Sequence, residues 1–187
     1  MAKPGFILKW LFVISFYSSQ FLTAVPMGEY KDVERVSKKK EQSKTESKKV
    51  DTIIVNEALK QLTTKKYSYR NKTTHWGKLA CAAFISGVLK DAGIINRVSV
   101  NTKGLTKILV KDGWVEIPLE KVRPGDVVFW GRNPGGTHGH VGIVYEKSGG
   151  SWYTIDNDSS VRYPRVRPLY RGKRPIEKVF RSPKTKI

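Results

Sequence analysis

Cys81 is the one cysteine among 187 residues, and His75, His138 and His140 are the three histidines. A single thiol excludes an intramolecular disulfide, a C-x-x-C redox pair and any zinc site needing two or more thiolates. It leaves nucleophilic chemistry. A nucleophilic thiol must ionise near neutral pH, and the first turn of a helix favours this, because unsatisfied N–H groups and the macrodipole stabilise negative charge. Cys81 opens the run CAAFISGVLKDAGI, in which Ala82, Ile85, Leu89 and Ala92 recur at helical spacing with Gly93 as the expected cap. A thiolate then needs a base. Of the three histidines only His140 opens an apolar strand, HVGIVY, where its ring is rigidly aimed. A third polar group should orient that ring from the next strand, whose end carries Asp156, Asn157 and Asp158. Strand alternation puts the two acids on one face and Asn157 on the other, so either the acids or the amide can serve.

Plainer readings compete with each of these. A cysteine ahead of Ala-Ala-Phe on an amphipathic helix is often just a small buried hydrophobe. The pair His138-Gly-His140 places both rings on one face of a strand and is half of a possible metal site, with Asp156 or Cys81 as further ligands, although no recognised zinc spacing is present. His75 and Trp76 are read as capping or packing residues.

These side chains must be held by elements that the same sequence predicts. Ile54, Ala58 and Leu62 lie four apart, with Val55 and Leu59 beside them, which predicts an amphipathic helix over residues 50–65, started by Asp51. The turn-rich segment YSYRNKTTHWGK leads to the Cys81 helix, and a polar stretch follows it. Residues 114–118 read as a short strand or turn. Pro124-Gly125 introduces the buried strand 126–130, the loop GRNPGGTHG leads to the His140 strand, and the turn Lys147-Ser-Gly-Gly leads to the strand beginning at Ser151. Helices first and an antiparallel meander after predict an α+β domain over residues 51–187, not alternating βαβ units.

The flanks differ in character. Residues 1–28 carry Lys3 and Lys9 and then nineteen uncharged residues rich in Leu, Phe, Ile and Val. This is the pattern of a secretory signal peptide, with Ala24 before the polar chain but Leu22 where an A-x-A site needs a small residue. The run is also close to the roughly 20 residues that span a bilayer, so an amino-terminal membrane anchor is the rival. Residues 29–50 hold eight Lys/Arg and five Asp/Glu and read as a charged Lys-rich linker. The whole chain has 35 Lys+Arg against 16 Asp+Glu, a net charge of +19, and residues 162–187 contribute ten Lys/Arg and one acid. Such a balance implies attraction to polyanions. No RRM, KH, helix-turn-helix or zinc-finger pattern accompanies it, so nucleic acid is not the expected partner. Anionic envelope polymers or lipids fit an exported protein better, and a final strand with a solvated basic face is the plainer alternative. Export also bears on Cys81, because an unpaired thiol in an oxidising compartment is liable to oxidation unless it is used.

CAAFISGVLKDAGI, then RPGDVVFWGRNPGGTHGHVGIVYE, then WYTIDNDSS, and finally Phe180-Arg-Ser-Pro183 occur in an order that resembles the CHAP and NlpC/P60 superfamily of papain-like cell-wall hydrolases, over roughly residues 67–183. The resemblance implies a papain-like domain with amino-terminal helices packed on an antiparallel β-sheet. It makes Cys81 similar to the family nucleophile, His140 to its base and Asp156 or Asp158 to the Glu-x-Asn pair of CHAP enzymes. Tyr69, twelve residues before Cys81, matches the position where NlpC/P60 enzymes carry a tyrosine near the oxyanion. Two departures tilt the likeness toward CHAP: Ala80-Cys-Ala-Ala stands where NlpC/P60 members usually have Asp-Cys-Ser-Gly, and no histidine follows His140. The implied activity is hydrolysis of an amide in the peptide part of peptidoglycan, as a muramoyl-L-alanine amidase or an endopeptidase, with no cofactor. The expected protein is exported, to the periplasm, the cell wall or an outward-facing membrane anchor, and is a monomer. The alternative is a non-catalytic basic wall-binding or tethering module of the same fold.

Overall fold

The computed structural model of the chain describes residues 50–64 and 69–183. The expected signal or anchor over residues 1–28 and the expected linker, apart from Val50, lie outside these residues. Helix α1 occupies residues 50–64. It is followed by a 3-10 turn at Lys72–Gly77, α2 at Cys81–Asp91, α3 at Thr102–Lys111 and β1 at Val115–Glu116. Then come β2 at Val127–Trp130, β3 at His140–Ser148, β4 at Ser151–Asp158, β5 at Tyr163–Pro168 and β6 at Ile176–Arg181. The strands form one antiparallel sheet in the order β1-β6-β2-β3-β4-β5. This is the expected α+β architecture, helices first and meander after.

The two faces of the sheet explain the sequence patterns. Val127 and Phe129 of β2 join Val141, Ile143, Ile155 and Phe180 in a core with Ile54 and Ala58 of α1, Phe84, Ile85 and Leu89 of α2, and Leu105 and Leu109 of α3. The alternate residues Val128 and Trp130 turn to a second cluster with Val144, Leu169 and Val179. β2 is therefore buried on both faces, which is why its sequence is an unbroken apolar run. Each fully buried Leu or Ile in these clusters contributes about 1.5–3 kcal/mol from removal of apolar area from water.

Local chemistry ends the elements. After α2, Gly93 adopts φ +71°, and the N–H groups of Gly93 and Ile94 bond to the carbonyls of Lys90 and Leu89, a Schellman closure. The β3–β4 hairpin turns at Gly149 and Gly150, both with positive φ, as a tight two-residue turn requires. The Pro124-Gly125-Asp126 turn is fixed from three sides. Gly125 has φ +87°, and a Cβ there would come within 2.9 Å of Asp51 Cα in α1. The buried Asp126 carboxylate accepts from Arg123 N–H and pairs with both Arg181 Nε and Nη2 at 2.8 and 2.7 Å. The Arg of the closing motif thus holds the Asp that opens β2.

Two elements depart from expectation. The polar stretch after α2 contains α3, whose Asn101 cap accepts from Gly104 N–H at 2.7 Å and whose buried Leu105 and Leu109 lie one turn apart. The basic segment supplies the final strand of the plainer alternative, β6, which returns to pair between β1 and β2, and beyond that expectation a further strand, β5. His75 and Trp76 neither cap nor pack: both are exposed, with φ of 49° and 56°, in the turn ahead of Cys81.

Candidate active site

α2 packs across β3 and β4, so its first residue, Cys81, approaches the beginning of β3, where His140 stands. Ala80 precedes the helix with no side-chain cap, in contrast to Asn101 before α3. The N–H groups of the first turn of α2 therefore lack the side-chain oxygen that a Ser, Asn or Asp would supply, a device usually worth about 1 kcal/mol. Cys81 is partly exposed at this head.

His140 lies between Cys81 and Asp156. Its Nε2 is 2.9 Å from Asp156 Oδ1, which commits that nitrogen to the carboxylate and leaves Nδ1 for the thiol. Burial alone pushes the imidazole below its ordinary value. The hydrogen bond and charge of Asp156, together with the neighbouring Cys81, outweigh burial and raise it above 6.5. The Trp130 ring, opposite His140 in the β2–β3 register, packs against the imidazole at 5.5 Å between centroids and restricts its rotation.

Asp156 is fully buried, which on its own raises a carboxyl pKa. His140 and Arg171 reverse this and hold the group well below the usual carboxylate range. Arg167 and Arg171 each ion-pair with it, one on each oxygen. Thr154 Oγ1 donates to Oδ2 at 3.2 Å, while Arg171 Nη2 donates to that hydroxyl at 2.8 Å. Arg167 Nη2 also lies 3.2 Å from His140 Nε2; when Nε2 carries its proton both groups are donors, and they converge on the carboxylate without bonding each other. Arg171 in turn lies 4.4 Å from the centre of the Trp130 ring, a cation–π contact that fixes its fork.

Of the three polar candidates at the end of β4, Asp156 is therefore the one that meets His140. Asp158 accepts from Ser160 N–H and Oγ and pairs with Arg167 Nη1 at 3.2 Å. Asn157 points the other way and donates from Nδ2 to Gly77 O at 2.8 Å, tying β4 to the turn before Cys81. Tyr69 packs its ring on Phe84 of α2 at 5.4 Å between centroids. His138 precedes β3 and is exposed, so the strand alternation that would pair its ring with His140 does not apply to it. Among the described residues no group of three His, Cys, Asp or Glu side chains is arranged to hold a metal.

Arg167, Arg171, Thr154 and Trp130 join the site without a signal in the sequence that places them there. By sequence the arginines belong to a basic tail; in the sheet, β5 runs beside β4 with Arg165 opposite Asp156 and Arg167 opposite Thr154, so Arg167 reaches Asp156 along the diagonal, within range of a long side chain. Gly142 carries no sequence signal for the site. A Cβ there would sit 3.1 Å from both Asp156 Cβ and the Trp130 ring, so a side chain would crowd these two groups by a few tenths of an ångström beside His140.

Residues 68–158 match the family model of the CHAP domain. This segment is similar to a CHAP domain. The match begins in the segment ahead of the 3-10 turn and ends at Asp158, the last residue of β4, so Cys81, His140 and Asp156 fall inside it, and the helix-plus-antiparallel-sheet architecture agrees with the papain-like fold of the CHAP/NlpC-P60 superfamily. Searched against curated proteins, the chain has no match. CHAP domains are in general hydrolases acting on peptidoglycan, and the domain points to activity of that general kind here. β5, which carries Arg167, the loop after it, which carries Arg171, and β6, which carries Arg181, lie beyond the matched CHAP segment.

Proposed function

We propose that this CHAP protein is an exported cysteine hydrolase that cleaves an amide in the peptide part of peptidoglycan, as an amidase or an endopeptidase, with Cys81 as nucleophile, His140 as base and Asp156 as the group that orients His140. The observation that carries the reading is the single imidazole shared between the Cys81 thiol and the buried Asp156 carboxylate.

In the first step the thiol proton passes to His140 and the sulfur attacks the amide carbonyl, forming the C–S bond of a tetrahedral intermediate. Its oxyanion is met by N–H groups at the uncapped head of α2. The C–N bond then breaks as His140 returns its proton to the leaving amine, and a thioester remains. Water, deprotonated by His140, attacks the thioester; the carboxylic acid leaves and Cys81 recovers its proton. Asp156 stays ionised throughout, because its arginine and histidine partners hold it so. No step needs a cofactor.

The test is mass-spectrometric analysis of peptidoglycan after incubation with the full chain and with Cys81→Ala under reducing conditions. New fragments from the wild type alone are expected, and their masses identify the bond. Identical digests, with both proteins bound to the sacculus, would overturn the hydrolase reading in favour of a wall-binding module.

A further inference from the structure

The cations near Cys81 are not equivalent. Arg167 and Arg171 are committed to Asp156 and Asp158. Arg174, in the loop between β5 and β6, is held differently: its Nη1 donates to Gly131 O at 2.8 Å and His138 O at 3.1 Å. These carbonyls stand near the two ends of the loop that delivers His140, so the guanidinium is pinned to the catalytic frame by neutral groups. Among the described residues no carboxylate lies within ion-pair distance of it. Pinned beside that loop, it interacts electrostatically with the charges of the site, Arg171, Arg167 and Asp156 among them. A guanidinium has five N–H donors. The two on Nη1 face the carbonyls, and Nε with Nη2 remain as a planar fork of the kind that grips a carboxylate with two parallel hydrogen bonds.

We propose that Arg174 is a specificity residue that binds a free carboxylate of the substrate next to the scissile amide, so that the enzyme selects stem peptides bearing that acid over those in which it is a carboxamide. This rests on the hydrolase reading above and adds the substrate class. The chemistry discriminates because a carboxylate is acceptor-only and charged, whereas a carboxamide offers one neutral acceptor and presents N–H donors to a group that is itself all donor.

The experiment measures binding, by calorimetry, of the tetrapeptide L-Ala-γ-D-Glu-L-Lys-D-Ala to the full chain carrying Cys81→Ala. Two counterparts are compared with it, one amidated at the D-Glu α-carboxylate and one at the D-Ala terminus. One of the two amidations is expected to weaken binding by about tenfold or more, the scale of a charge-assisted hydrogen-bonded pair. Adding Arg174→Gln should weaken the free-acid peptide by a similar factor and erase the preference. Arg174→Lys, which keeps the charge without the fork, should retain a smaller preference of the same sign, and thermal melts check that each variant is folded. Lys173→Gln, which removes a neighbouring exposed charge, should leave the preference intact; an equal loss there would mean a bulk charge effect and overturn the proposal. Equal binding of all three peptides, or binding of none at millimolar concentration, would also overturn it. Because the assay needs no turnover, these outcomes are separate from failure of the wild type to release fragments, which counts against the hydrolase reading instead.

Discussion

Three cationic or potentially cationic groups, His140, Arg167 and Arg171, draw on the one carboxylate of Asp156. The arginines keep it ionised and fix its direction, but they also compete with the imidazole for its charge, so the elevation of His140 is a balance. The leaving amine takes its proton from His140, and the His140 pKa is raised above 6.5. Turnover is therefore expected to fall as pH rises through the elevated value. Asp156→Asn removes the main group that raises His140. It should move that alkaline fall to lower pH and cut kcat by between about a hundredfold and ten-thousandfold. A pH–rate profile of both proteins checks the sign: an alkaline limb that stays in place would mean that Asp156 does not set the protonation of His140.

At the scale of elements, β3 is what brings the site together, because it carries His140 at its first residue and Gly142 where Trp130 and Asp156 meet. Gly142 lies opposite Val128 in β2, in the middle of a buried ladder where a side chain would ordinarily add stability. Gly142→Ala would push a methyl against Asp156 and the indole at 3.1 Å. The backbone can accept alanine there, since no positive φ is involved, so the chain should still fold while Asp156 shifts relative to His140. The neighbours must give by a few tenths of an ångström, less than the roughly 1 Å misplacement that costs about a hundredfold, so a loss of up to about tenfold in kcat is expected. Steady-state kinetics alongside a thermal melt would check this, and full activity in a folded variant would show that the packing around Asp156 tolerates the methyl. The same element logic makes α2 legible: its seven buried side chains between Ala82 and Leu89 leave Cys81 as the residue that reaches the surface of the helix head.

For the molecule as a whole, charge is distributed by role. Arg123 pairs with Asp51 and Arg181 with Asp126, fastening α1, the turn before β2 and β6 to one another, and Arg167 and Arg171 serve the site. The remaining lysines and arginines supply much of a net charge of +19, and a charge of that size favours association with polyanions in general; anionic envelope polymers are the partner proposed. Binding of the Cys81→Ala chain to wall polymers should weaken by about tenfold or more as salt rises from roughly 0.05 to 0.5 M, measured by co-sedimentation. Binding unchanged across that titration would mean that contacts other than charge hold the protein to the wall.

By itself the sequence determined the order of α1, α2 and the strands β2 to β4, because apolar residues at spacings of four and two are a property of the chain alone. It determined Cys81 and His140 in the same way, since a lone thiol at a helix head and a histidine opening an apolar strand are local patterns. Asn101, Leu105 and Leu109 carried the same kind of signal for α3, in a stretch whose lysines made it read as polar. Tertiary structure alone decided which of Asp156, Asn157 and Asp158 meets the imidazole, because alternation fixes a face and not a partner across strands. It alone decided that Arg167 and Arg171 turn inward, since the register of β5 against β4 is set by packing and pairing between segments. A charge counted along the chain becomes a neutralised, oriented group only when that register brings its counter-ion beside it.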